Sequence, residues 1–116
     1  MSKTMQRVEN IQKKICFIEE IVEEAGGIIK AFEDERCMRA SIQMHLISIA
    51  REFDMLSNDG EFEVLSKFDK NDLSGNYDVR TFITHYYEGV NLSVIEHVVR
   101  DRLPHIKRVV EQILKN

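Results

Sequence analysis

The sequence predicts an all-α fold, an antiparallel bundle of four to five helices in one domain spanning residues 1–116. Three observations carry this. Apolar residues recur three and four apart along most of the chain, as they do on a helix with one buried face. One proline and five glycines leave the helical stretches largely unbroken. No stretch alternates apolar and polar residues over a useful strand length.

The first helix is expected over residues 4–25, with a stripe of Val8, Ile11, Ile15, Ile18, Val22 and Ala25. Gly26 and Gly27 end it. A short amphipathic piece, residues 28–32, leads to the acidic run Glu33, Asp34, Glu35, where carboxylates suit the positive end of a second helix. Ile42, Leu46, Ile49, Phe53 and Leu56 form the stripe of that helix, and the turn residues 57–60 close it. His45 borders the stripe and reads as a hydrogen-bonded boundary residue. Phe62, Leu65 and Phe68 suggest a two-turn helix over one end of the core. Residues 69–76 are polar, with Gly75 as a breaker, so the third long helix is expected to begin near Tyr77. Val79, Phe82, Ile83 and Tyr86 would be its core face and Gly89 its end. The last segment, residues 91–115, is capped by Asn91 and carries Leu92, Ile95, Val99, Ile106, Val109 and Ile113 in one phase. Arg102 falls on that apolar phase, and Pro104 must kink or restart the helix beside it.

With 43% hydrophobic and 31% charged residues the chain is globular, long enough to bury about two-thirds of its unfolded surface. No apolar run approaches the roughly 20 residues of a bilayer span. No apolar segment follows the first residues, so no signal peptide is expected. Cys16 and Cys37 form no CxxC pair and read as buried, reduced thiols of a cytoplasmic protein. Charge is uneven: net −4 over residues 1–70, zero over 71–116, and +3 over 100–116. An acidic protein contacts nucleic acid only through a local patch, and Arg100, Arg102, Lys107 and Arg108 are the candidates. There is no phosphate-cradling glycine loop, no Glu-x-x-His and no zinc cluster, so neither metal nor cofactor is expected.

The chemistry-bearing stretch is RTFITHYY, residues 80–87. Arg80 offers a planar guanidinium that holds phosphate in a two-point grip. His85 offers an imidazole, which exchanges protons near neutral pH. Together they suffice for cleaving RNA without a metal. The ribose 2′-hydroxyl attacks phosphorus, the histidine moves protons, and the arginine stabilises the phosphoryl charge. The bland alternative is a surface arginine and a structural histidine on one helix.

The sequence YDVRTFITHYYEGVNL, residues 77–92, resembles the HEPN superfamily, and within it the HepT-like toxins. Arg80, His85 and Tyr87 match that family's pattern of Arg, four residues, His, one residue, Tyr. Leu103 and Pro104 resemble its usual ending. In the second helix a Gly-Glu step is replaced by Ala50 and Arg51. The resemblance implies a dimeric helical bundle acting as a ribonuclease toxin. It further implies a separate MntA-type nucleotidyltransferase antitoxin, which adds AMP to Tyr87. Residues seven apart on a helix nearly coincide in direction, whereas residues five apart diverge by about 140°. Arg80 and Tyr87 should therefore share a face while His85 points away. Either an unwound end before Gly89 or a two-fold homodimer would reunite them. Two other readings stay open: a non-catalytic module that binds a nucleotidyltransferase or its nucleotide, and a helical interaction protein.

Overall fold

The computed structural model describes residues 2–85 and 92–115, with the side chains of Phe82, Thr84 and His85 outside that description. Among the described residues all regular structure is helical. Helix α1 spans Lys3–Ala25 and α2 spans Ile28–Glu33. A wide π-turn, Glu35–Arg39, feeds α3, Ala40–Asn58. Then come α4, Phe62–Leu65, and α5, Lys70–His85. Helix α6, Leu92–His97, continues through a second π-turn, Val98–Arg102, into α7, Leu103–Lys115. With the π-turns joined to their helices this makes six runs among the described residues, more than the four or five expected, because the short piece after Gly27 forms a helix of its own, α2.

Helix α1 is the spine. Val8, Ile11, Ile15 and Ile18 are fully buried, each side chain contributing about 1.5–3 kcal/mol on burial. Ser2 caps the start, its hydroxyl accepting from the Met5 N–H at 3.1 Å. The end is a Schellman turn. Gly26 adopts a φ of 86°, open to glycine at little cost, and the Gly27 N–H reaches the Val22 carbonyl at 2.9 Å. Ion pairs give the direction of the neighbours. Arg7, near the start of α1, meets Asp59 after the end of α3 at 3.2 Å. Glu19, near the end of α1, meets Lys107 near the start of α7 at 2.9 Å. Both helices therefore run antiparallel to α1.

Four expectations are corrected. Helix α5 begins at Lys70, not near Tyr77, and passes through Gly75. Its first half buries Asp72 and Asn76 in phase with Val79 and Ile83, so its inward face is half polar and hidden from an apolar count. Phe62 is exposed, while Phe68 stacks edge-on against Phe53 at 5.0 Å. After one turn of α4 the Ser66 hydroxyl donates to the Glu63 carbonyl at 2.6 Å and the helix stops. In the last segment Val98 and Val110 are buried instead of Val99 and Val109. Between them the helix widens, the Leu103 N–H donating to the Val98 carbonyl five residues back, and Leu103 rather than Arg102 takes the buried position. Pro104, which has no N–H to give, falls just past that wide turn, in the first turn of α7. Finally, Cys37 is exposed and Cys16 only half-buried, both as free thiols. The expected roles of Tyr86, Gly89 and Asn91, and the burial of Phe82, lie outside the described residues. Among the described residues no helix is long and apolar enough to cross a membrane.

Candidate functional site

Helix α5 carries the motif because two of its residues are anchored. Val79 and Ile83 are buried in the core, which sets the rotation of the helix and turns Arg80 into the groove beside α3. There the Arg80 Nη1 donates to the Asp54 carboxylate, near the end of α3. The guanidinium carbon also lies 4.9 Å from the centroid of the Tyr77 ring, one helical turn earlier. Arg80 is thus held on two sides, by a charge-assisted hydrogen bond from another helix and by an aromatic face on its own. Both side chains of the ion pair keep partial contact with solvent, at 27% for Arg80 and 41% for Asp54. Neither Asp54 nor Tyr77 was singled out from the sequence. An acidic residue 26 positions away gives no local signal, although Tyr77 stands three before Arg80, the spacing that brings side chains together on a helix.

His85 is the last described residue of α5, and its backbone stands about 7.5 Å along the helix axis from that of Arg80. Its side chain, and all of Tyr87, lie outside the described residues.

The four candidate basic residues of the last segment, Arg100, Arg102, Lys107 and Arg108, do not form one patch. Arg100 and Lys107 face α1. Arg100 lines a cleft with Glu19 and Glu23 and pairs with Glu96 at 3.2 Å, and Lys107 pairs with Glu19. The hydrogen bond to Glu19 raises the Lys107 ammonium above the ordinary lysine range, with the carboxylate charge helping and burial opposing. Arg102 and Arg108 face α5. The Arg102 Nη1 donates to the Asp72 Oδ1 at 3.2 Å, which explains an arginine on an apolar phase: it compensates a carboxylate that is only 2% exposed. Arg108 is exposed on the rim of a cleft between α5 and α7.

His45, expected to be hydrogen-bonded, instead rests its ring 5.3 Å from that of Phe17. Desolvation, with Lys14 nearby, lowers its pKa. Among the described residues no cluster of three His, Cys, Asp or Glu side chains could hold a metal ion. No family model, no curated protein and no solved structure matches this chain.

Proposed function

We propose that this chain is a metal-independent endoribonuclease of the HEPN, HepT-like type, acting as a cytoplasmic toxin. The observation that carries the reading is Arg80, held by Asp54 and Tyr77 on the helix that also carries His85. In this mechanism Arg80 binds the scissile phosphate and the charge that grows on its oxygens. His85 takes the proton of the 2′-hydroxyl as that oxygen attacks phosphorus, and a proton returns to the departing 5′-oxygen. The products are a 2′,3′-cyclic phosphate and a 5′-hydroxyl. A homodimer would supply two copies of each group around one strand. Control falls to Tyr87: its phenolate attacks the α-phosphate of ATP on a separate MntA-type nucleotidyltransferase, pyrophosphate leaves, and the bound AMP blocks RNA by bulk and charge.

Cleavage of a labelled RNA by the purified protein in EDTA tests the reading. His85→Ala should slow it by about a hundredfold or more. Equal rates for His85→Ala and the parent protein would remove the acid–base role. A second reading, a non-catalytic module that docks a nucleotidyltransferase, draws on the ion pairs that already engage Arg80, Arg100, Arg102 and Lys107. It predicts firm transferase binding and no cleavage.

A further inference from the structure

A second cluster of charge lies at the other end of α5, about 12 Å along the axis from Arg80 as the helix rises from residue 72 to residue 80. A cleft of about 580 Å³ opens there between the start of α5 and one side of α7. Lys67, Phe68, Asp69 and Asp72 line one wall, and His105, Arg108, Val109 and Gln112 the other. His105 stands three and four before Arg108 and Val109, which stand four and three before Gln112, so these α7 residues form one continuous helical face.

The charges in this cleft are not equivalent. The two oxygens of Asp72 are engaged inside the protein, one 3.2 Å from the Arg102 Nη1 and the other 3.5 Å from the His105 Nδ1. The Asp69 Oδ1 accepts from the Asn71 N–H at 2.7 Å and caps the helix. Lys67 and Arg108 are exposed, and the His105 side chain is 56% exposed with the buried carboxylate behind it. The N-terminal end of α5, a 16-residue helix, adds its positive dipole to the same place. The contrast with two other clefts is one of charge balance. The cleft lined by Glu19, Glu23 and Arg100 and the one lined by Glu33, Arg39 and Glu96 each carry a net negative charge. The lining of this one sums to zero, and Arg102 stands behind Asp72 as its ion-pair partner, which leaves Lys67 and Arg108 facing Asp69 alone, in a chain whose total is −4.

We infer that the cleft between the start of α5 and α7 is a phosphate-binding site, with Arg108 and Lys67 as its charged grips and His105 as a hydrogen-bonding wall. The ligand is a phosphate ester, either the backbone of a single-stranded RNA or the phosphate of a mononucleotide. As a phosphate site it stands apart from the nuclease reading; as a second hold on an RNA substrate it rests on that reading.

The test is a titration of the full-length ¹⁵N-labelled protein with inorganic phosphate, with 5′-AMP and with a short 2′-deoxy oligonucleotide that cannot be cleaved. Amide shifts should concentrate at residues 67–72 and 105–112. Arg108→Glu and Lys67→Glu, both at exposed positions, should each weaken binding by about fivefold or more with unchanged melting. If the backbone is the ligand, the oligonucleotide binds more tightly than AMP, and Arg108→Glu lowers the salt slope by about 0.7. If a mononucleotide is the ligand, AMP binds at least as tightly as the oligonucleotide. Shifts centred elsewhere, no shifts with any of the three, or affinity unchanged in both variants would overturn the site. RNA cleavage without binding here would overturn this proposal and leave the nuclease reading intact; binding here without cleavage would do the reverse.

Discussion

At Arg80 the Asp54 carboxylate and the Tyr77 ring both meet the guanidinium, and together they separate charge from shape. Lysine would keep the charge but lose the planar fork that meets the Asp54 carboxylate and lies over Tyr77. Arg80→Lys should therefore cut RNA almost as poorly as Arg80→Ala, both down by about 10²–10³-fold. Near-parental cleavage by the lysine variant would show that diffuse positive charge is enough. In the proposed nuclease Asp54 would act one step back, as a positioning residue for Arg80. Asp54→Ala should slow cleavage by about ten- to a hundredfold, mainly in kcat, because a misplaced arginine stabilises the transition state poorly. Asp54→Glu should recover part of the loss. A faster Asp54→Ala enzyme would mean that the carboxylate competes with the phosphate for Arg80. The two phenols that follow are told apart by modification. With a partner transferase and ATP, AMP should be lost in Tyr87→Phe and kept in Tyr86→Phe, as read by intact mass. The opposite pattern would move the acceptor to Tyr86.

Among the elements, α5 and the last run show where patterns in the chain succeed and fail. The stripes of α1 and α3 were legible because their buried positions are apolar throughout. In α5 the buried positions among the described side chains are Asp72, Asn76, Val79 and Ile83, and two polar residues conceal the first half of the helix. Gly75, which reads as a breaker, sits inside that helix. A Cβ there would come no nearer than 3.9 Å to the Arg102 Cγ, an ordinary contact. Gly75→Ala should therefore stabilise the protein by about 0.5–1 kcal/mol, since glycine loses the most backbone freedom in a helix. Urea unfolding would check this, and a destabilised variant would show that Arg102 needs the space. The Asp72–Arg102 pair is predicted to be unsymmetrical. Arg102→Met strands a buried carboxylate and should cost about 2–3 kcal/mol, more than Asp72→Asn, whose abandoned arginine can reach water.

For the whole molecule, two groups whose pKa values shift in opposite directions bound a pH window. Desolvation lowers the His45 pKa below the ordinary 6.5, so the unfolded chain takes up the proton first. The contribution is present above pH 6.5 and is lost as pH falls below it. The hydrogen bond to Glu19 raises Lys107 above the ordinary 10.5. Its contribution is present below that pH and fades as pH rises through the folded value. Melting temperature should therefore begin to fall below pH 6.5, and His45→Phe should flatten that decline. An equal decline in the variant would assign the acid sensitivity to other groups. The alkaline effect should be the smaller one, because Lys107 and Glu19 are both partly exposed and solvent screens them.

By itself the sequence determined the class of fold, the long helices α1 and α3, the break at Gly26 and Gly27, and the Arg80–His85 motif on one helix. Each of these is local: a period of three or four residues, a turn residue, or a short spacing. Only the tertiary structure decided what those groups meet. It paired Arg80 with Asp54 across 26 residues, Arg102 with Asp72 across 30 and Lys107 with Glu19 across 88. It also divided the basic residues of the last run between two sides of one helix. The physical reason is that charge pairing depends on which faces of distant helices adjoin. That follows from how the apolar stripes pack together and from the wide turn at residues 98–102, and neither is written in the neighbourhood of any one residue.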